Sequence, residues 1–212
     1  WLVLASCDYM LSDAAKGYGI RKFLIDNGFV FSHNHYRYIP HKMMAAMSAW
    51  EKLNTEGEIT VAQLGDLYNY LGKTHVKRGF ITKVLNEENK SQLVNKEQII
   101  NIYGLKEECL DEEWKEVFSK TIDIQRRAFI EKAMANNEDL FGEPRIAIST
   151  IHQAKGGEAE NVAVLLDLSP AQQQDFILNP DGLHRQFYVA VTRALQNLYL
   201  VKAKSENYRY LI

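Results

Sequence analysis

The chain has 212 residues, 46% of them hydrophobic and 25% charged, with 25 Lys and Arg against 27 Asp and Glu. That length holds one large or two small domains, and the apolar fraction excludes a disordered chain. A net charge of −2 excludes a generally basic domain, so any polyanion surface must be local. The longest apolar runs, such as Val162–Leu166, fall far short of the roughly 20 residues that span a membrane, so no membrane partner is expected. Cys7 and Cys109 lie far apart in sequence, which points to a reducing, cytoplasmic location without a disulfide framework. The opening WLVLASC has neither Met nor a basic leader and reads as a strand cut at its start, so the chain is expected to be a piece of a longer protein.

Residues 1–33 read as strand, helix, strand. WLVLAS is a short apolar run, Ile20, Phe23 and Leu24 give an apolar helix face closed by Asn27-Gly28, and FVF resumes as strand. Residues 34–143 read as almost wholly helical. Met43, Met44, Met47 and Trp50 fall at helical spacing, as do Leu64, Leu67, Tyr68 and Leu71, and Trp114, Val117, Phe118 and Ile122. Thr60 before Gln63 has the pattern of a capping box. Leu110–Ala135 is expected as one long helix, with Asp111, Glu112 and Glu113 at its positive end. After Pro144 three strands are expected, RIAIST, VAVLLDL and LYLVKA, with an amphipathic helix near Leu183–Leu195 between the last two.

Strands alternating with helices predict an α/β fold, a mostly parallel sheet with helices on both faces. The economical arrangement joins 1–33 and 144–212 into one discontinuous domain, interrupted by an all-helical subdomain over 34–143. That insertion carries 15 basic and 18 acidic residues, so neither part is a basic domain.

The sharpest stretch is Thr150-Ile151-His152-Gln153-Ala154-Lys155-Gly156-Gly157-Glu158, between two strands. The glycines permit close backbone approach, His152 can stack on a base or bond a phosphate, Lys155 is a point charge, and Glu158 can accept from a ribose hydroxyl. A plain turn with a surface Lys–Glu pair is the competing reading. The second stretch, His184 to Ala194, places Phe187, Val191 and Ala194 on an apolar face, with Arg185 near the start of the helix and Arg193 near its end. An arginine on a rigid element can reach a transferring phosphoryl group, although most arginines are surface ion pairs.

In this order and spacing, TIHQAKGGE resembles the fifth motif and FYVAVTRA the sixth motif of UvrD/Rep-type superfamily 1 DNA helicases. The opening, WLVLASCDYML through NGFVFS, is similar to the family segment that precedes its helical insertion. The resemblance implies a second RecA-like motor domain with an inserted helical subdomain. It also implies an ATP-dependent helicase or translocase, an ATP hydrolase moving 3′ to 5′ on DNA. Arg193 would then be the catalytic arginine finger, and Glu158 the ribose contact. Lys155, Gly156, Arg185 and Tyr188 would serve the ATP cleft, while Thr150 and His152 would face the single strand. Gly157 stands in place of the usual Leu, Leu183 where relatives carry an acid, and Ser6-Cys7-Asp8 in place of Arg-Thr-Asn, so no role is carried onto the last three.

Gly72-Lys73-Thr74 imitates the end of a P-loop, but Leu67 occupies the position of its first glycine and a helical run precedes it. The resemblance therefore implies ATP with magnesium held jointly with a P-loop motor domain elsewhere in the parent chain, which would carry the metal ligands. This chain alone would not turn ATP over. Lys73, His75, Lys77, Arg78 and Lys83 lie in an acid-free window that reads either as a duplex-contacting patch or as a solvated helix end. Single-stranded DNA and a duplex junction are the implied partners. A second acid-free window, Asn27 to Trp50, mixes His33, His35, Arg37, His41 and Lys42 with Tyr36 and Tyr38. Aromatics among cations suit base stacking, but a linker between subdomains is the preferred reading, and no metal site is expected. Two rivals remain: a non-catalytic nucleic-acid-binding accessory module on the same fold, and a parent that is a helicase–nuclease.

Overall fold

Leu2–Ala5 forms the first strand, β1, and residues far away in the chain flank it on both sides. The computed structural model describes residues 1–12, 19–71, 74–154 and 156–211. In chain order β1 is followed by α1 (Ile20–Asn27), β2 (Phe31–His33), β3 (Tyr36–Arg37), α2 (His41–Thr55), β4 (Glu58–Thr60), α3 (Val61–Tyr70) and α4 (Phe80–Leu85). Then come β5 (Leu93–Asn95), α5 (Lys96–Asn101), α6 (Trp114–Val117) and α7 (Ile124–Ala135). Last are β6 (Ile146–Thr150), β7 (Ala159–Leu165), α8 (Pro170–Leu178), α9 (Asp181–Val191) and β8 (Ala194–Val201). Contacts divide the chain into two units, 1–38 with 131–212, and 39–130.

The first unit is a six-stranded sheet in the order β3-β2-β6-β1-β7-β8. Every pairing is parallel except the β2–β3 hairpin. Side chains alternate across the pleat, and the apolar ones divide accordingly. Leu2, Leu4, Val162 and Val164 join Leu183, Phe187 and Ala190 of α9 in one core. Ala5, Phe31 and Ile148, with Val3 and Ile146, join Leu24 of α1 in another. Both faces are therefore covered by helices, as a mostly parallel sheet requires. This is a mixed α/β, RecA-like fold.

The contact limits at 38 and 131 have a local cause. Buried Glu138 accepts from Val30 N (3.2 Å) and pairs with Arg145. The hydrogen bonds from Arg145 hold the Glu138 carboxyl below the usual carboxylate range. Arg37 donates to the carbonyls of Phe141 (3.3 Å) and Gly142. Residues on both sides of the expected limits at 33 and 144 are thereby tied to the sheet.

The 39–130 unit is mostly helical but not wholly so, because β4 and β5 pair as a small antiparallel sheet. Each of these strands runs straight into a helix through a capping box, Thr60 with Gln63 and Asn95 with Gln98. The methionine stripe of α2 is buried as expected, and Trp50 meets Phe118 edge to face at 6.4 Å. Tyr68 is buried and donates to Tyr103 O (2.9 Å), and burial pushes its hydroxyl far above the ordinary range.

Two expectations about helix limits are corrected. Leu110–Ala135 is broken: Glu112 and Glu113 take extended backbone, α6 ends at Val117, and Asp123 caps a new helix by accepting from Arg126 N (2.9 Å). The local cap made by Asp123 outcompetes continuation there. The helix placed near Leu183–Leu195 is α9, which ends at Val191. Ala194 therefore belongs to β8, and the buried stripe is Leu183, Phe187 and Ala190.

Gly28 closes α1 at φ +69°, and its N–H donates to Ile25 O (3.2 Å). A Cβ there would lie 2.5 Å from Lys132 Cβ and 2.7 Å from the Ala133 nitrogen. Gly28→Ala combines left-handed strain with a backbone clash, so urea unfolding should show a loss of about 2 kcal/mol or more.

Candidate nucleotide and nucleic-acid interface

Parallel strands present their carboxyl ends on one edge, where ligands of open α/β sheets bind. β1 leaves the sheet there as Ser6-Cys7-Asp8, and β6 leaves it as Thr150-Ile151-His152. Ser6, Cys7, Asp8, Thr150 and His152 line a cleft of about 610 Å³ with Gln172 and Asp175 of α8 and Leu183 and Gln186 of α9, while Ile151 turns into the core. Gln172 is fixed by its own capping box with Ser169. Its Oε1 lies 2.9 Å from Ser6 Oγ and 3.2 Å from Cys7 Sγ. Ser6 Oγ is also 2.9 Å from Asp167 O. Nearby, burial and the neighbouring Cys7 and Asp167 push the Tyr9 hydroxyl upward.

Thr150 and His152 are thus brought together, and His152 is exposed. Ser6, Cys7 and Asp8, to which no role was given, share their cleft. The signal that could have found them is topological: a residue that follows a parallel strand emerges on the same edge as Thr150.

Glu158 and Arg193 sit at the opposite edge. Glu158 immediately precedes β7 and Arg193 immediately precedes β8, and Ala159 N donates to Arg193 O (3.1 Å). Thr150 is level with Ala5 of β1, whereas Ala159 lies three residues ahead of Val162, the partner of Leu2. Along the strands the two edges are separated by about 20 Å. The segment from Ile151 to Glu158 crosses that distance, with Gly156 at φ +84° and Gly157 N donating to Ala154 O (3.0 Å). Lys155 of this segment lies outside the described residues, as does Lys73.

Arg193 donates from Nε to Val189 O (3.0 Å) and from Nη2 to Thr192 Oγ1 (3.3 Å), which tethers the guanidinium to the end of α9. Arg185 lies eight residues earlier, about 12 Å along the helix, and donates from Nε to Asp181 O (3.2 Å). Arg185 and Tyr188, three residues apart, share the outer side of α9, where Tyr188 is 68% exposed. The structure therefore brings Glu158 and Arg193 together and leaves Arg185 two turns away. The inner side of α9 is held by Phe187, whose ring stacks on Tyr210 at 3.9 Å, and by His184 Nδ1, 2.7 Å from the Tyr210 hydroxyl. Burial pushes that hydroxyl upward.

Lys77 and Arg78 are exposed in the other unit, on the turn before α4, where Lys77 N donates to Gly104 O (2.9 Å). The window from Asn27 to Trp50, preferred as a linker, holds the β2–β3 hairpin and the first ten residues of α2. A two-residue turn was hard to read because Asn34-His35 supplies its left-handed residues without a glycine. Among the described residues no group of three His, Cys, Asp or Glu could hold a metal ion, and no helix is long and apolar enough to cross a membrane.

Residues 25–205 match the family profile of the UvrD-like helicase C-terminal domain. No curated protein matches the chain.

The two thiols differ sharply. Cys7 lines the cleft, whereas Cys109 is buried and its thiol is pushed up to about 11, by burial first and by Glu112 second. At pH 8 a thiol with that value is on the order of 0.1% thiolate. Ellman titration of the native protein should therefore count one fast thiol, with the second appearing only on denaturation. Two fast thiols would contradict this packing.

Proposed function

The chain belongs to the UvrD-like helicase C-terminal domain family, and on that footing we propose that it is the second motor half of an ATP-dependent DNA helicase or translocase. The observation that carries the reading is the backbone bond between Ala159 and Arg193, which sets Glu158 beside Arg193. A carboxylate and a guanidinium at one edge suit the two ends of a nucleoside triphosphate, the ribose hydroxyls and the γ-phosphate.

In this reading ATP lies between that edge and a P-loop domain of the same parent, which also holds the magnesium ion. Arg193 rotates off the carbonyl of Val189 to meet charge developing on the γ-phosphate, and Glu158 orients the sugar. Tyr188 and Arg185 face the partner domain from the outer side of α9. Thr150 and His152 receive the single strand at the other edge. Lys155 and Gly156 belong to the segment that joins the two edges, so closure of the nucleotide site is transmitted to the strand. Lys73, Lys77 and Arg78 are assigned to phosphates of the duplex at the junction.

The intact helicase tests this. Arg193→Ala should lower single-strand-stimulated ATP turnover by about 10³-fold or more while single-strand affinity changes little. Turnover at the wild-type level would remove the arginine finger from the scheme. Turnover absent from the wild-type parent would favour an accessory module that kept the fold.

A further inference from the structure

The β2–β3 hairpin carries chemistry that nucleotide turnover does not require. Its two turn residues, Asn34 and His35, have φ of +48° and +69°. Such a pair is what a two-residue turn between twisted strands demands, but His is a poorer occupant than Gly and needs the turn to be held. Asn34 does the holding. Its N–H donates to Ile148 O (3.0 Å) and its Nδ2 to Asp8 Oδ1 (2.8 Å). Its Oδ1 accepts from Ser149 Oγ (3.3 Å) and Thr150 N (3.4 Å). His33 Nε2 lies 2.9 Å from the same Asp8 oxygen. The hairpin is thus fastened to the ends of both β6 and β1, beside the residue that opens the strand-contacting loop.

Tyr36 opens β3 directly after this fastened turn, with 80% of its surface exposed. It pairs with His33 across the ladder, so its ring and the His33 ring project from the same side. A rigidly held, uncharged ring is what a stacked base requires, because every base offers a π face. Asp8, which carries negative charge beside the hairpin, disfavours a phosphate there and favours the base side of a strand. We infer that Tyr36 is a base-stacking platform for single-stranded DNA, continuing the track of Thr150 and His152; this rests on the assignment of those two residues to the strand.

The test is equilibrium binding of a fluorescent oligothymidylate and of an abasic oligonucleotide of equal length. Tyr36→Ala should weaken oligothymidylate binding by about 10-fold, and Tyr36→Phe should restore it. The abasic strand should bind wild type and Tyr36→Ala alike, and the salt dependence should not change, since no phosphate contact is lost. Unchanged oligothymidylate affinity in Tyr36→Ala, or equal losses for both strands, would overturn the platform and leave the Thr150 and His152 assignment standing. Failure of the wild-type protein to bind either strand would overturn both.

Discussion

The insertion of β1 between β6 and β7 is the constraint on which the other features depend. Leu2, Val3, Leu4 and Ala5 pair with Ala147 to Thr150 on one side, and Leu2 to Leu4 with Val162 to Val164 on the other. A parallel strand in that place satisfies its backbone only through residues more than 140 positions away. The sheet can therefore form only when the two arms of the chain meet, whatever is inserted between them. Pairing at such sequence separation is slow to nucleate. The same constraint aligns the exits of β1 and β6, which is why Ser6, Asp8, Thr150 and His152 share one edge.

The legible parts were those written in local periodicity. The short apolar run of WLVLAS, the methionine stripe of α2 and the capping box at Thr60 each follow from neighbours within a few positions. The fold class followed from their order. What escaped was set by partners distant in sequence or by competition between close alternatives. Leu110–Ala135 has helical spacing throughout, yet the cap at Asp123 and the extended Glu112-Glu113 divide it. β4 and β5 are only three residues each and gain their pairing from one another, so neither stands out alone. The β2–β3 turn lacks the Gly that advertises such turns, and its left-handed Asn34 is stabilised by Thr150 and Asp8, more than a hundred and some two dozen positions away respectively.

The candidate site divides in the same way. The motif stretches 150–158 and 184–194 stand out by composition, the first because a strand breaks there into His, Lys and paired glycines, the second because two arginines flank an apolar helix face. Their relation could not be read from spacing alone. The bond between Ala159 and Arg193 belongs to the β7–β8 ladder, in which Ala159 lies opposite Ala194, and the register shifts between Ala159 and Asn161 before Val162 meets Leu198 and Val164 meets Leu200. That irregularity, invisible in the spacing of the sequence, decides which residue stands beside Glu158.

The segment from Ile151 to Glu158 then acquires its meaning from length. It descends about 20 Å past β1 in eight residues, against the roughly 26–29 Å that eight fully extended residues span, so it has room for the turns it makes. Ile151 and Ala154 anchor it in the core that also holds α9. In the proposed scheme, nucleotide at Glu158 and Arg193 and a DNA strand at Thr150 and His152 are joined through this segment, and the half nearer Thr150 is the part packed into the core. Gly156, at its left-handed φ, follows the anchored part, and the backbone turns there as only glycine does readily.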